Sequence, residues 1–411
     1  MILRHGLAAC ALAALAVAAP LPVAKPEAVG MSSARLARLG TALKAEIDRG
    51  LYPGAVVAIV RKGKLVYYES FGYVDKAGGK PMPKDAIFTI ASMTKPLTAS
   101  GALMLVEETR MLLNDPVGKY LPQIDSVVVA TPTGVEPVHR KPTIQDLMRH
   151  TAGFTYGNRG TSLLYKNYPQ SSNEAAEAMT SDAFLKMLGG LPLFYQPGTH
   201  WDYSFGMDLV GLTIEAVTRQ KLGDYLHERL FGPLGMVDTG FVVPAEKASR
   251  FARPLPVDPV TGKPQAFRNP VNPTKFDCGG GCIYSTAMDY ARFAEMLRSR
   301  GKFEDKQYLG RKTVEYMTSD QLGPEVDTEK LREFPNMNGY GFGLSVAVRK
   351  GGGVSGIMGT AGDFDWGGSN GTYFWVDPKE ELAVVFMAAA PGDMRVHVRQ
   401  AITTLVLQAL D

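Results

Sequence analysis

Apolar residues first recur at helical spacing in Leu36, Leu39, Leu43 and Ile47, with Ser32 or Ser33 available as a cap and Gly50 at the exit. This predicts a covering helix ending near 48. Two apolar runs follow, 55–60 and 65–71, separated by Arg61-Lys62-Gly63-Lys64, and they read as a β-hairpin that begins a sheet. A second helix is expected to start near Ser92 and run to about 110, with Leu97, Met104 and Leu105 spaced for burial. From 111 to 275 the pattern becomes helical segments (144–150, 181–188, 205–219, 222–230) joined by long connections rich in Pro, Gly and Asn. Loops of that length inside a folded protein usually line a site.

Strand character returns in 341–349, 372–376 and 382–387, and Asp377-Pro378-Lys379-Glu380 forms a turn that pairs the last two as a hairpin. Val398, Ile402, Leu405 and Leu410 then predict a terminal helix packed on the sheet. Strands at both ends around a helical middle imply an α/β (α+β) fold: one sheet domain built from 25–110 and 276–411, interrupted by a mostly helical insertion over 111–275.

With 411 residues the chain can bury a large core, and 45% hydrophobic with 21% charged residues is ordinary globular composition. The net charge of +3 is too weak to imply a polyanionic partner, and no basic run is interleaved with aromatics, so nucleic-acid binding is not expected. Arg4 and His5 precede an uncharged apolar stretch, 6–19, and Ala16-Val17-Ala18 supplies small residues for cleavage. Residues 1–18 therefore read as a signal peptide, too short to span a bilayer, and predict a periplasmic or secreted protein with no membrane attachment after cleavage. Two cysteines remain, in Cys278-Gly279-Gly280-Gly281-Cys282. In an oxidising compartment they can pair, or they can be two small buried side chains in a tight turn, and without Cys or His at ligand spacing they are no zinc site.

The chemistry centres on Ser92-Met93-Thr94-Lys95. On a helix this spacing stacks the two side chains about 5–6 Å apart at Cβ, so the lysine can take part in moving the serine's proton. The spacing alone is weak, because Ser299-Arg300-Gly301-Lys302 repeats it at a predicted helix end, where the side chains would not face each other. Ser92 instead sits where an extended run enters a helix, and the N–H groups there can support an oxyanion. A rival signal, Gly367-Gly368-Ser369-Asn370-Gly371, fits the G-x-S-x-G nucleophile elbow. That motif needs a helix after it, whereas Thr372-Tyr373-Phe374-Trp375-Val376 are strand formers.

Beyond the tetrad, ordered blocks carry a resemblance: Leu147-Met148-Arg149-His150-Thr151-Ala152-Gly153, Gln196-Pro197-Gly198-Thr199-His200-Trp201-Asp202-Tyr203-Ser204, Gly232-Pro233-Leu234-Gly235-Met236 and Gly362-Asp363-Phe364-Asp365-Trp366-Gly367-Gly368. From about residue 30 onward the chain resembles the serine β-lactamase and penicillin-binding superfamily, in the class C-like branch that includes the family VIII carboxylesterases. The resemblance implies an antiparallel sheet flanked by helices, an inserted helical domain and a site in the cleft between them. It puts Tyr203 in the place of the tyrosine that shuttles protons beside Lys95. It implies oxyanion donors at the backbone N–H of Ser92 and Ser369, and no metal or organic cofactor.

Two departures from the β-lactamase pattern shape the substrate expectation. Phe205 stands where an asparagine follows the tyrosine, and Trp366-Gly367-Gly368 replaces the lysine-threonine-glycine strand. Tryptophan cannot pair with a carboxylate, but it offers an apolar wall for an acyl chain or alcohol. The expectation is a carboxylesterase for small-molecule esters of short acyl chains, with Trp366, Gly367, Gly368 and Phe205 at the substrate and some transacylase or weak β-lactamase activity. The alternatives are a β-lactamase or D-alanyl-D-alanine carboxypeptidase, and a non-enzymatic sensor acylated at Ser92. His150, His200 and His227 are expected to be structural, and Asp363 and Asp365 to be turn or bulge residues. Oligomeric state is not specified by the sequence.

Overall fold

The computed structural model describes residues 20–265, 267–335 and 337–411; the leader-like stretch lies outside them. Helix α1 (Ser33–Asp48) opens where Ser32 Oγ accepts the Arg35 N–H at 3.2 Å, and it buries Leu36, Leu39, Leu43 and Ile47 as the spacing predicts. The hairpin β1 (Gly54–Arg61) and β2 (Lys64–Asp75) turns on Lys62 and Gly63, both at positive φ (48° and 72°), the pair of left-handed conformations a two-residue turn requires. After the short edge strand β3 (Lys80–Pro81) and β4 (Ile87–Thr89) comes α2 (Thr94–Glu107), preceded by a 3₁₀ turn over Ala91–Met93. Every residue of α2 from Thr94 to Leu105 is buried. It is a central helix, not an amphipathic surface one.

Between α2 and residue 275 lie the expected helices, of which α3 (Ile144–Met148) and α4 (Gly206–Thr218) shape the site, together with a β-hairpin pairing Val128–Thr131 with Gly134–Pro137. Strand β5 (Tyr284–Thr286) pairs with β4 and leads into α5 (Ala287–Arg298). The single strand expected over 341–349 is in fact two, β6 (Tyr340–Phe342) and β7 (Ala347–Arg349). The chain reverses because Gly343 N–H bonds the Val346 carbonyl (2.8 Å), Ser345 is left-handed (φ 74°), and its N–H docks on the Met148 carbonyl (3.0 Å). Strands β8 (Phe364–Gly367), β9 (Tyr373–Asp377) and β10 (Leu382–Ala388) complete the sheet, and α6 (Met394–Leu407) follows.

The sheet is fully antiparallel, in the order β6-β7-β8-β9-β10-β1-β2-β3. Its centre, β1 against β10, joins the two ends of the chain, so both faces must be covered. One face, with Ala55, Val57 and Ile59, packs on α1 and α6. The other, with Val56, Ala58 and Val60, packs on α5 and merges with the core of the helical segment. This is the α/β architecture expected from the pattern, and it leaves a cleft where α2, the end of β8 and the loops of the helical segment meet. Among the described residues no helix is long and apolar enough to cross a membrane.

Candidate active site

Ser92 sits half-buried in the 3₁₀ turn before α2, after an Ala91 in left-handed conformation (φ 44°). That conformation costs an alanine about 1–2 kcal/mol, a strain held in place by surrounding packing. Lys95, one turn on, is buried, and its Nζ has three oxygen neighbours: the Gly280 carbonyl at 2.6 Å, Tyr156 Oη at 3.3 Å and Ser92 Oγ at 3.4 Å. The faces of Tyr203 (4.5 Å to the ring centre) and Tyr156 (5.6 Å) flank the same nitrogen. A cation in this nest is supported by hydrogen bonds and by two aromatic quadrupoles.

Tyr203 lies in the loop before α4, next to Ser204 and Phe205. Trp366 Nε1–H on β8 donates to its hydroxyl at 3.3 Å, and the two rings pack at 5.4 Å. Behind Tyr203 lies His150, its ring centre 4.6 Å away, with a buried imidazole whose Nδ1 meets Ser204 Oγ at 3.3 Å. Burial, with Lys95 and Arg159 adding positive charge, pushes the His150 pKa well below its ordinary value, so it packs as a neutral ring. Its ring packs behind that of Tyr203.

Four residues that the sequence did not single out, Tyr156, Ser172, Asp208 and Gly280, complete the nest. Tyr156 Oη lies 2.9 Å from Ser172 Oγ, which donates to Asp208 Oδ2 at 2.8 Å, while Gly280 N–H donates to Asp208 Oδ1 at 3.0 Å. The path returns to Lys95 through the Gly280 carbonyl. Burial holds the Tyr156 hydroxyl well above the usual tyrosine range, helped by Asp208 and Tyr203, so Tyr156 stays protonated. Burial also raises Asp208 to about 6, against the opposing pull of Lys95 and the Ser172 hydrogen bond. Cys278 and Cys282 form a disulfide around this loop. A Cβ on Gly280 would press on Asp208 and Ser172, and one on Gly279 would overlap the Met207 carbonyl, so the glycines are close-approach positions. The Cys-Gly-Gly-Gly-Cys run was the available signal, but it does not say which side chains converge on it.

A cavity of about 170 Å³ opens at Ser92, walled by Tyr203, Phe334, Met337, Trp366 and Val396 and by Gly367, Gly368 and Ser369. Ser92, Tyr203, Trp366, Gly367, Gly368 and Ser369 are thus brought together, with Lys95 beneath. Phe205 is not. It is fully buried against Tyr156 (4.3 Å) and Phe184 (5.3 Å) because α4 starts at Gly206, turning the ring into the core instead of toward substrate. Asp365 also departs from expectation. It is no turn residue but lies inside β8, buried at the cavity wall, with its carboxyl pushed up to about 8 by burial and by Asp363 against the opposing charges of Arg349 and Arg399.

The rival motifs resolve on geometry. Ser369 occupies the turn from β8 into β9 with no helix after it, so it is no nucleophile elbow. Ser299 ends α5 bonded to Glu295 and Arg298, and Arg300 and Gly301 are left-handed before the exposed Lys302, so that repeat makes no pair.

The sequence pattern that defines the beta-lactamase family matches residues 40–408. The chain belongs to the beta-lactamase family. Its members are serine hydrolases, and the chain is a serine hydrolase with them. Protein Rv1367c of Mycobacterium tuberculosis is 32% identical over 86% of this chain and 90% of its own length. Esterase EstB of Burkholderia gladioli is 28% identical over 92% of this chain and 97% of its own. Lovastatin esterase of Penicillium rubens is 26% identical over 88% and 96%. Among solved structures, EstCE1, a hydrolase with promiscuous acyltransferase activity, superposes with a TM-score of 0.77 at 24% identity over 91% of this chain and 98% of that one. That likeness establishes the family's fold.

Proposed function

We propose that the protein is a carboxylesterase acting on small esters through an acyl-enzyme at Ser92, in the periplasm or outside the cell. The observation that carries the reading is the convergence of Ser92, Lys95 and Tyr203 on a cavity walled by Trp366. The three oxygens around Lys95 Nζ use its three donors, which suits a fixed ammonium better than a base. The proton acceptor is then Tyr203, whose ring lies against that cation. Tyr156, held protonated, is a poor base and serves to place Lys95.

Ser92 Oγ passes its proton to Tyr203 Oη as it attacks the ester carbonyl. The N–H groups of Ser92 and Ser369 take the oxyanion, and Tyr203 returns the proton to the departing alkoxide. Water entering along the same path, deprotonated by Tyr203, releases the acid, and an alcohol in its place gives acyl transfer. Trp366 favours an apolar group over an anion at the strand. The esterase names of two relatives support this preference. Arg395 and Arg399 also line the cavity and add positive charge, so slow hydrolysis of a cephalosporin is expected beside ester turnover. The leader-like N-terminus and the Cys278–Cys282 disulfide support the location.

The test compares p-nitrophenyl butyrate with a chromogenic cephalosporin. Ester turnover should be much the faster, and Ser92→Ala should abolish both. Fast cephalosporin turnover with negligible ester turnover would assign a β-lactamase, and a stoichiometric burst without turnover would assign an acylated sensor.

A further inference from the structure

The turn Gly368–Thr372, which carries the Ser369 N–H, is held from two sides by groups outside the proton path. Gly368 N–H bonds the Thr372 carbonyl at 2.9 Å and Gly371 N–H bonds the Gly368 carbonyl at 3.2 Å, closing the turn on itself. From α6, anchored in the core by Val398 and Ile402, the Arg399 Nη2 group donates to the carbonyls of both Gly368 and Thr372, the latter at 3.1 Å. The guanidinium lies over the backbone of Gly367, where any Cβ would overlap it, and faces the Tyr373 ring at 5.6 Å. Burial draws Arg399 down to about 10, with Arg395 adding to the fall and Tyr373, Asp365 and Tyr203 opposing it, so it is cationic at neutral pH.

From the other side, buried Thr372 donates its hydroxyl to the Ile90 carbonyl at 3.2 Å. That same carbonyl accepts the Met93 N–H at 3.0 Å and so closes the turn that presents Ser92. A Cβ on Gly368 would overlap both the Ile90 carbonyl and Thr372 Oγ1, so glycine there allows the two turns to touch. The two proposed oxyanion donors thus sit on turns joined through one shared acceptor and pinned from α6.

We infer that Arg399 and Thr372 are positioning residues that fix the spacing between the Ser92 and Ser369 N–H groups. The inference rests on the reading of those two groups as the oxyanion site. Removing one oxyanion donor outright costs about 10²–10³ in kcat, and displacing one by a fraction of an ångström costs less, on the order of tenfold.

The experiment measures kcat and KM on p-nitrophenyl butyrate, and the affinity of an alkyl boronic acid that forms a tetrahedral adduct on Ser92, for the wild type, Arg399→Ala, Arg399→Lys and Thr372→Val. Arg399→Ala should lose about tenfold in kcat with KM within roughly twofold, and boronate affinity should fall by the same factor as kcat/KM. Millimolar guanidinium chloride should restore part of the Arg399→Ala loss and leave the wild type unchanged. Arg399→Lys should keep more activity than Arg399→Ala, and Thr372→Val should show a smaller parallel loss. If Arg399→Ala does not fold, Arg399→Lys and Thr372→Val decide by the same kcat and boronate readouts. A kcat within twofold of wild type in the folded variants, a loss confined to KM, or unchanged boronate affinity would overturn the inference. Ser92→Ala separates the two levels: if it stays active the oxyanion reading itself fails, and if it is inactive while the Arg399 and Thr372 variants are normal, only the positioning role fails.

Discussion

Replacing Tyr156 by phenylalanine removes one oxygen from the nest and little else. The ring keeps its packing on Phe205 and Tyr203, and Ser172 keeps its bond to Asp208 at 2.8 Å. Lys95 keeps Gly280 at 2.6 Å and Ser92 at 3.4 Å but loses the acceptor at 3.3 Å that holds Nζ between them. A hydrogen bond to a charged group is worth about 1.5–3 kcal/mol, and each 1.4 kcal/mol in the barrier is tenfold in rate, so the expected loss in kcat is roughly 10–100-fold. KM should stay within about twofold, because Tyr156 does not line the cavity. Steady-state hydrolysis of p-nitrophenyl butyrate gives both constants, and urea unfolding should show a modest destabilisation of about 1 kcal/mol. An unchanged kcat would refute the claim that Tyr156 places Lys95. A raised KM with normal kcat would make it a substrate contact instead.

Other outcomes follow from the same geometry. Trp366→Phe keeps an aromatic wall but loses the 3.3 Å bond to Tyr203, and kcat/KM measured on the butyrate ester should fall about fivefold, the equivalent of a hydrogen bond worth about 1 kcal/mol. Asp365, whose native pKa of about 8 lies above its unfolded value, keeps its proton in the native state after the unfolded chain has lost it, so its contribution to stability declines as pH rises from about 4 to about 8. Between pH 6.5 and 8 that is about 2 kcal/mol, and urea unfolding of Asp365→Asn should lack this part of the decline; equal slopes for variant and wild type would count against a buried, protonated Asp365. Reducing Cys278–Cys282 frees the loop whose Gly280 carbonyl holds Lys95, and thiol treatment should lower both the Tm and the esterase kcat; full activity in the reduced protein would show that the loop is held by its hydrogen bonds alone.

The fold was legible where burial is periodic. Leu36, Leu39, Leu43 and Ile47 mark α1, and the run around Lys62-Gly63 marks a hairpin, because each pattern has one geometry that buries it. The pattern over 341–349 misled because Gly343 N–H turns back on the Val346 carbonyl and a left-handed Ser345 docks on Met148, a tertiary contact that no local propensity records. In the site, Ser92, Lys95, Tyr203 and Trp366 were readable as motifs in order. Tyr156, Ser172, Asp208 and Gly280 were not, since they come from four separate segments and meet only when α2, α4 and the disulfide loop pack together. Phe205 shows the converse limit: its place beside Tyr203 in sequence suggested the cavity, while the start of α4 turned it away.

The proposed mechanism requires Ser92 to be the residue acylated during turnover. Rapid acid quench during hydrolysis of p-nitrophenyl butyrate, followed by peptide mass spectrometry, tests it directly. A butyryl adduct is expected on the peptide containing Ser92, absent in Ser92→Ala and forming far more slowly in Tyr203→Phe, which lacks the proton acceptor for acylation. An adduct on Ser369, or full turnover by Ser92→Ala with no adduct at all, would contradict it.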